Sequence, residues 1–284
     1  MWQRYFIIVV LLSAGEAWAQ DRGDPLRLIT VWAGALPIIL AAPHGGREPI
    51  TGVAVRRGHG VTQFTTERDS NTTELAEQVA VKLNRRFAAR PFLIVARFER
   101  KYVDANRAPA HAYESPEAKP YYDAYRLALR EACQLVRQHW GHGLLLDIHG
   151  QGAETDAIFR GTNNGNSVSD LEQRFGRGAL TGGGSILGQL MSKGYKIAPD
   201  MSANDRERRY TGGFTTQTYG SHRGTGIDAI QLEFGATLRA RRNLPTTAND
   251  LAEAIMVFAK QYLPLARKST EIQNRAVESD RVLE

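Results

Sequence analysis

Three residues pair metal-ligating or proton-transfer chemistry with one local setting. His44 follows the apolar run LPIILAAP, His149 follows LLLDI, and Glu233 lies inside AIQLEFG. Imidazole and carboxylate are the usual ligands of catalytic zinc, which keeps one position open for water. A single histidine at a strand end is more often a hydrogen-bonded structural residue. Three such residues at the ends of separate apolar runs, each with a glycine close behind (Gly45, Gly150, Gly235), point together to one divalent-metal site. The glycines are expected to let backbone approach a bound group closely. Two histidines need a further protein ligand, and the segment TERDSNTTEL offers Glu67 and Asp69. Spacing alone favours a plain helix N-cap for Asp69.

A second constellation, Arg97, Arg100, Asp104, Asn106 and Arg107, follows the apolar run FLIVA. Arginine holds carboxylates through two parallel hydrogen bonds. Asp104 is placed to orient one of these arginines, or to back a ligand histidine. Tyr102 and Val103, set among the charges, argue against a fully solvated run.

The elements that must position these groups alternate between strand and helix. Leu28–Trp32 and Leu36–Ala42 read as strands around Ala33-Gly34-Ala35, the pattern of a hairpin. Residues 71–89 place Leu75, Val79, Leu83 and Phe87 four apart, an amphipathic helix. Phe92–Ala96 reads as a buried strand. Ser115-Pro116-Glu117 starts a helix reaching about Trp140, with Tyr122, Tyr125, Leu129, Cys133 and Val136 on one face. Gly143–Ile148, Tyr195–Ala198 and Ile227–Phe234 read as strands, Ile186–Lys193 and Thr247–Tyr262 as helices. The expected fold is α/β, a three-layer sandwich with a central mixed β-sheet flanked by helices. In such sheets ligands sit beyond the carboxyl ends of the strands, where the chemical residues fall.

Composition bounds the rest. The chain has 284 residues, a net charge of +6 and one cysteine, which excludes an internal disulfide framework. Arg4, the run YFIIVVLLSA and Ala17-Trp18-Ala19 form the pattern of a secretory signal cut after Ala19. Residues 1–19 are therefore expected to be a leader, 20–263 one α/β domain and 264–284 a charged tail, with the protein periplasmic or secreted. No later apolar run approaches the roughly 20 residues of a membrane span. The positive charge is spread along the chain without basic tracts interleaved with aromatics, so nucleic acid is not an expected partner. There is no Gly-x-Ser-x-Gly elbow, and Gly182-Gly183-Gly184-Ser185 lacks a Walker lysine. Cys133, on an apolar helix face, reads as an inert buried thiol.

Taken in order, the motifs resemble a known family. They are Pro43-His44-Gly45-Gly46, residues 69–75, Arg97-Phe98 with residues 102–107, Asp147-Ile148-His149, Gly161-Thr162, residues 212–216 with Tyr219-Gly220, and residues 229–233. The set resembles the N-formylglutamate amidohydrolases, distant relatives in fold of the zinc carboxypeptidases. The resemblance spans about Leu36 to Leu238. It implies a zinc ion on His44, Asp69 and His149, with Glu233 as general acid/base. It implies that Asn106 and Arg107 hold a substrate carboxylate, and that Gly213 and Tyr219 belong to a loop bordering the pocket. Arg107 or Arg100 would stabilise charge or anchor that carboxylate. The expected reaction is metal-assisted hydrolysis of an amide in a small carboxylate-bearing molecule or peptide. The family's reaction belongs to cytosolic histidine breakdown, so a signal peptide is a departure that bears on the substrate. A zinc peptidase or cell-wall amidase, and a secreted binder that keeps the fold without catalysis, are the competing readings.

Overall fold

The computed structural model describes residues 24–200 and 206–267. The expected leader and most of the charged tail lie outside the described residues. Seven strands form one mixed sheet: β1 (Ile29–Trp32), β2 (Ile38–Ala42), β3 (Phe92–Ala96), β4 (Gly143–Gln151), β5 (Ala157–Gly161), β6 (Lys196–Ala198) and β7 (Ile227–Gly235). Their spatial order is β1-β3-β2-β4-β7-β5-β6. β3, β2, β4 and β7 run parallel, β1 lies antiparallel on β3, and β5 lies antiparallel on β7 and parallel to β6.

The central strands are apolar throughout because both faces are covered. Along β2, Ile38, Leu40 and Ala42 face one core, while Ile39 and Ala41 face the other. The first core packs under α1 (Thr72–Phe87), α4 (Ser169–Phe175), α5 (Gly178–Thr181), α6 (Ile186–Ser192) and α8 (Leu244–Tyr262). The second packs under α3 (Lys119–Trp140), with contributions from α2 (Pro109–Ala112) and α7 (Phe214–Tyr219). Sheet between helix layers is the architecture expected from the sequence. Leu75, Val79 and Leu83 are buried as their spacing predicts, as are Tyr122, Tyr125, Leu129, Cys133 and Val136 on α3. Burial pushes the Cys133 thiol up to about 12, which keeps it protonated and inert.

The expected β1–β2 hairpin does not form. β1 crosses to the far side of β3, and the Ala35 N–H donates to the Arg90 carbonyl at 2.7 Å. The aromatic ring of Phe92 lies against Gly34, where a Cβ would come within 2.4 Å of it. β5, α4 and α5 are additions to the expected elements, α7 occupies the segment expected as a loop, and α8 starts at Leu244, with Pro245 in its first turn. Among the described residues, no helix is long and apolar enough to cross a membrane.

Candidate metal centre

The carboxyl ends of β2, β4 and β7 converge. His44 stands just past β2, His149 lies near the end of β4, and Glu233 is its register partner on β7. Asp69 reaches them from the segment before α1. Its N–H donates to the His44 carbonyl at 3.0 Å, and its Oδ2 accepts the Gly150 N–H at 3.0 Å. The helix N-cap position belongs to Asn71, in left-handed geometry, so the Asp69 carboxylate is not spent on capping.

His44 Nδ1, His149 Nδ1 and Asp69 Oδ2 form a nearly equilateral triangle. The two nitrogens are 3.1 Å apart, His149 to Asp69 is 3.3 Å and His44 to Asp69 is 3.5 Å. All three side chains are buried, and together they are a group that could hold a metal ion. A tetrahedral ion with ligands at roughly 2.0–2.1 Å needs donors about 3.3 Å apart, so the donor set fits. Glu67 is exposed on the cavity rim and stands outside the triangle.

The outer nitrogens are backed by carboxylates; with the ring protons held on that side, both Nδ1 atoms would offer a lone pair to a cation at the shared point. His44 Nε2 meets Asp104 Oδ1 at 2.6 Å, and His149 Nε2 lies 3.0 Å from Asp147 Oδ2. Burial disfavours a charged His149. Asp147, Asp69 and Glu233 more than offset this and hold its pKa well above the usual value. Burial likewise pushes Asp69 and Asp104 up, but both end below the ordinary carboxylate range: Asp69 through hydrogen bonds from His149 and His44, Asp104 through the charges of His44 and Arg100.

Asp104 does both things expected of it. Besides His44 it accepts Arg100 Nε and Nη2 at 3.0 and 2.9 Å, and Arg107 Nε at 3.2 Å. Arg107 also donates from Nη1 to the Thr62 carbonyl at 3.2 Å and from Nη2 to the Gln63 carbonyl at 2.5 Å. Its guanidinium therefore borders the cavity with three of its five N–H donors engaged. Arg100 keeps Nη1 near the metal triangle, 3.5 Å from Asp69 Oδ1. Asn106 is less a free substrate contact than a strut. Its Oδ1 accepts the Thr215 N–H at 2.7 Å, and its Nδ2 lies 3.0 Å from His149 Nε2 and 3.4 Å from Gln231 Oε1.

Gln231 was not singled out from the sequence, although it sits two residues before Glu233 and so on the same face of β7. Its Oε1 accepts the Gly213 N–H at 2.6 Å and its Nε2 donates to Glu233 Oε1 at 2.8 Å. The first bond fixes the amide orientation, so only N–H faces the carboxylate. Burial pushes Glu233 up to about 7.

These groups line a cavity of about 700 Å³ together with Arg209, Tyr210 and Phe214. Gly213 is in that lining and Tyr219 is not. Tyr219 is buried, its hydroxyl donates to the Arg126 carbonyl at 3.2 Å, and its ring holds the Arg126 guanidinium at 4.8 Å, with Phe214 at 4.7 Å. It clamps α7 to α3. The glycines behind the site also serve packing more than access to a bound group. A Cβ on Gly45 would fall 2.3 Å from Thr73 Oγ1, one on Gly150 2.5 Å from Arg239 Nε, and one on Gly235 2.3 Å from the Thr155 carbonyl.

No family model matches the chain, and no curated protein matches it. Solved structures do. N-formylglutamate amidohydrolase from Ralstonia eutropha JMP134 is 20% identical with a TM-score of 0.56, over 82% of this chain and 97% of that one. A gene product of Agrobacterium tumefaciens is 15% identical with a TM-score of 0.51, over 82% of this chain and 94% of that one. The fold is thus shared with proteins of the kind the motifs resemble, and the relationship is distant.

Proposed function

We propose that the chain is a metal-dependent hydrolase of a linear amide bond, taking an N-formyl or N-acyl amino acid. The carrying observation is the triangle of His44, Asp69 and His149, backed by carboxylates, with a buried glutamate one strand away. A divalent cation held there, with zinc the best match to two imidazoles and a carboxylate, supplies Lewis acidity that acidifies water and polarises a carbonyl.

The chain's own groups supply the rest. Glu233 accepts the proton of the attacking water. Because Oε1 is occupied by the Gln231 amide, the proton is carried on Oε2, and Glu233 delivers it from there to the amide nitrogen as the C–N bond breaks. A carboxyl whose pKa is raised to about 7 can both take and return a proton near neutrality. Arg100 Nη1, beside Asp69, stabilises the charge that develops on the carbonyl oxygen. The cavity exceeds the needs of a formylated amino acid, which favours a longer acyl chain or a short peptide as the second reading. Export after cleavage at Ala19 belongs to the same proposal, and N-terminal sequencing of the exported protein tests it.

A panel of N-formyl and N-acyl amino acids beside short peptides, with and without chelator, tests the activity. Turnover of the acyl amino acids that stops with chelator is expected; peptide turnover alone selects the second reading. Metal content by elemental analysis, wild type against His149→Ala, checks the site separately. Equal content in the two would remove His149 from the ligand set.

A further inference from the structure

The cavity wall carries three guanidinium groups, and they are not equivalent. Arg107 gives three of its five N–H donors to Asp104 and to the Thr62 and Gln63 carbonyls, one from each nitrogen, so it is held in place and braces the 62–63 segment as a wall. Arg100 gives two donors to Asp104 and turns its third nitrogen to Asp69. Arg209 differs from both. It is exposed on the cavity lining, and among the described residues no carboxylate forms an ion pair with it. Its guanidinium leans on the ring of Tyr210, 5.8 Å from the centroid. Tyr210 is in turn fixed edge-on against Phe159, 5.0 Å between centroids, on β5 of the central sheet. The Tyr210 hydroxyl is pushed up by burial and by the charge of Glu233, while a hydrogen bond from Arg209 pulls it the other way, so one donor of Arg209 is shared with Tyr210 and the rest face the cavity they line.

We propose that Arg209 binds the anionic group of the substrate, in place of Arg107. The planar fork of an arginine suits a carboxylate, which accepts two parallel N–H bonds. A guanidinium resting on an aromatic ring has lost part of its conformational freedom before the ligand arrives, so less entropy remains to be lost on binding. Arg107 then sets the shape of the opposite wall, and Arg209 sets the charge preference. The inference rests on the hydrolase reading for the kind of molecule in the cavity. It assigns a substrate-binding role on the segment just before Gly212-Gly213, outside the residues implied by the family resemblance.

The test is calorimetric binding to the full-length, zinc-loaded protein in a Glu233→Gln background, which prevents turnover. The probes are N-formyl-L-glutamate, N-formyl-L-glutamine and the α-amide of N-formyl-L-glutamate. Arg209→Gln is expected to weaken the dianion roughly 10- to 100-fold. It is expected to leave unchanged the affinity for the amide that lacks the carboxylate Arg209 holds. Arg107→Gln is expected to weaken all three probes by a similar factor and to lower the melting temperature. Equal losses across the probes for Arg209→Gln, no loss, or a carboxylate-selective loss for Arg107→Gln would each overturn the assignment. Failure of every probe to bind would overturn it together with the substrate class. Binding that depends on Arg209, in a protein whose Glu233-containing form hydrolyses no amide, would leave this inference standing and refute the hydrolase reading.

Discussion

Gly213→Ala is the smallest change that should reach the base without touching it. A Cβ at this position would stand 2.3 Å from Asn106 Nδ2, 2.8 Å from Cγ and 2.9 Å from Oδ1. The backbone there is extended, so no conformational penalty for alanine confuses the result. Either the Asn106 amide moves or the 212–214 segment does. Moving the amide loosens the 2.7 Å bond from the Thr215 N–H and the contact with His149. Moving the segment loosens the 2.6 Å bond from the Gly213 N–H to Gln231, whose other end holds Glu233. Overpacking of this kind costs about 1–3 kcal/mol, a fall of roughly 2–10 °C in melting temperature for a domain of this size. A displacement approaching 1 Å at a catalytic group costs on the order of 100-fold in kcat. The assay is a double-mutant cycle with Asn106→Ala, reading melting temperature and kcat. Asn106→Ala removes the obstructing amide, so Gly213→Ala should cost much less in that background, a coupling of about 1 kcal/mol or more. Additive losses would mean that the contact does not carry the effect. An unchanged kcat in Gly213→Ala alone would mean that the Asn106–Gln231–Glu233 chain does not hold the base.

Glu233 must be ionised to accept a proton; burial raises its pKa to about 7 and a cation on the neighbouring triangle would pull it down, so kcat/KM should fall about tenfold per unit below an inflection at or under that pH, and a profile flat from pH 4 to 7 would remove it as the base. Asp228, which accepts from the Leu171 N–H and from Arg174, is pushed up by burial to about 6 from 3.8. The folded state then binds that proton more tightly than the unfolded one, so stability declines as pH rises from about 4 to 6, by about 3 kcal/mol at most. Asp228→Asn should flatten that part of a denaturant-midpoint profile. Asp104→Ala removes the backing of His44 and the partner of Arg100 and Arg107, so zinc affinity measured by competition with a chelator should drop roughly 10- to 100-fold. Unfolding stability should fall by about 3–5 kcal/mol. Wild-type affinity in that variant would refute the backing role.

What was legible in the sequence follows from the range of the forces that decide each feature. α1 and α3 announce themselves because burial of one helix face leaves a period, and β3, β4 and β7 because burial of both strand faces leaves an apolar run. The β1–β2 hairpin misled because adjacency along the chain says nothing about which strand receives the ladder. That was decided by β3, more than fifty residues on. β5, α4 and α5 are too short to leave a period of their own. In the site, the types of residue at strand ends located His44, His149 and Glu233. For Asp69, spacing alone favoured a helix cap and only the family resemblance implied a ligand; in the fold its carboxylate reaches the Gly150 N–H while Glu67 stands exposed. The role given to Tyr219 failed because an exposed-looking aromatic near glycines can equally be the cation-holding face of a helix clamp. Gln231 was visible in principle, two residues from Glu233. A neutral amide carries no signal of its own until its partners are known.

The register that places His149 opposite Glu233 has a wider meaning. Neighbouring strands are held about 4.8 Å apart by the backbone ladder, among the least adjustable spacings in a protein. The step from the candidate ligand cluster to the proposed proton acceptor is therefore set by main-chain geometry common to every sheet. The walls that meet the rest of a substrate, by contrast, come from the segments around Gln63 and Arg209. Such a molecule divides its inheritance in two. In the proposed hydrolase, the groups that would break the bond are fixed by the sheet, while the segments that would select what is broken lie outside it.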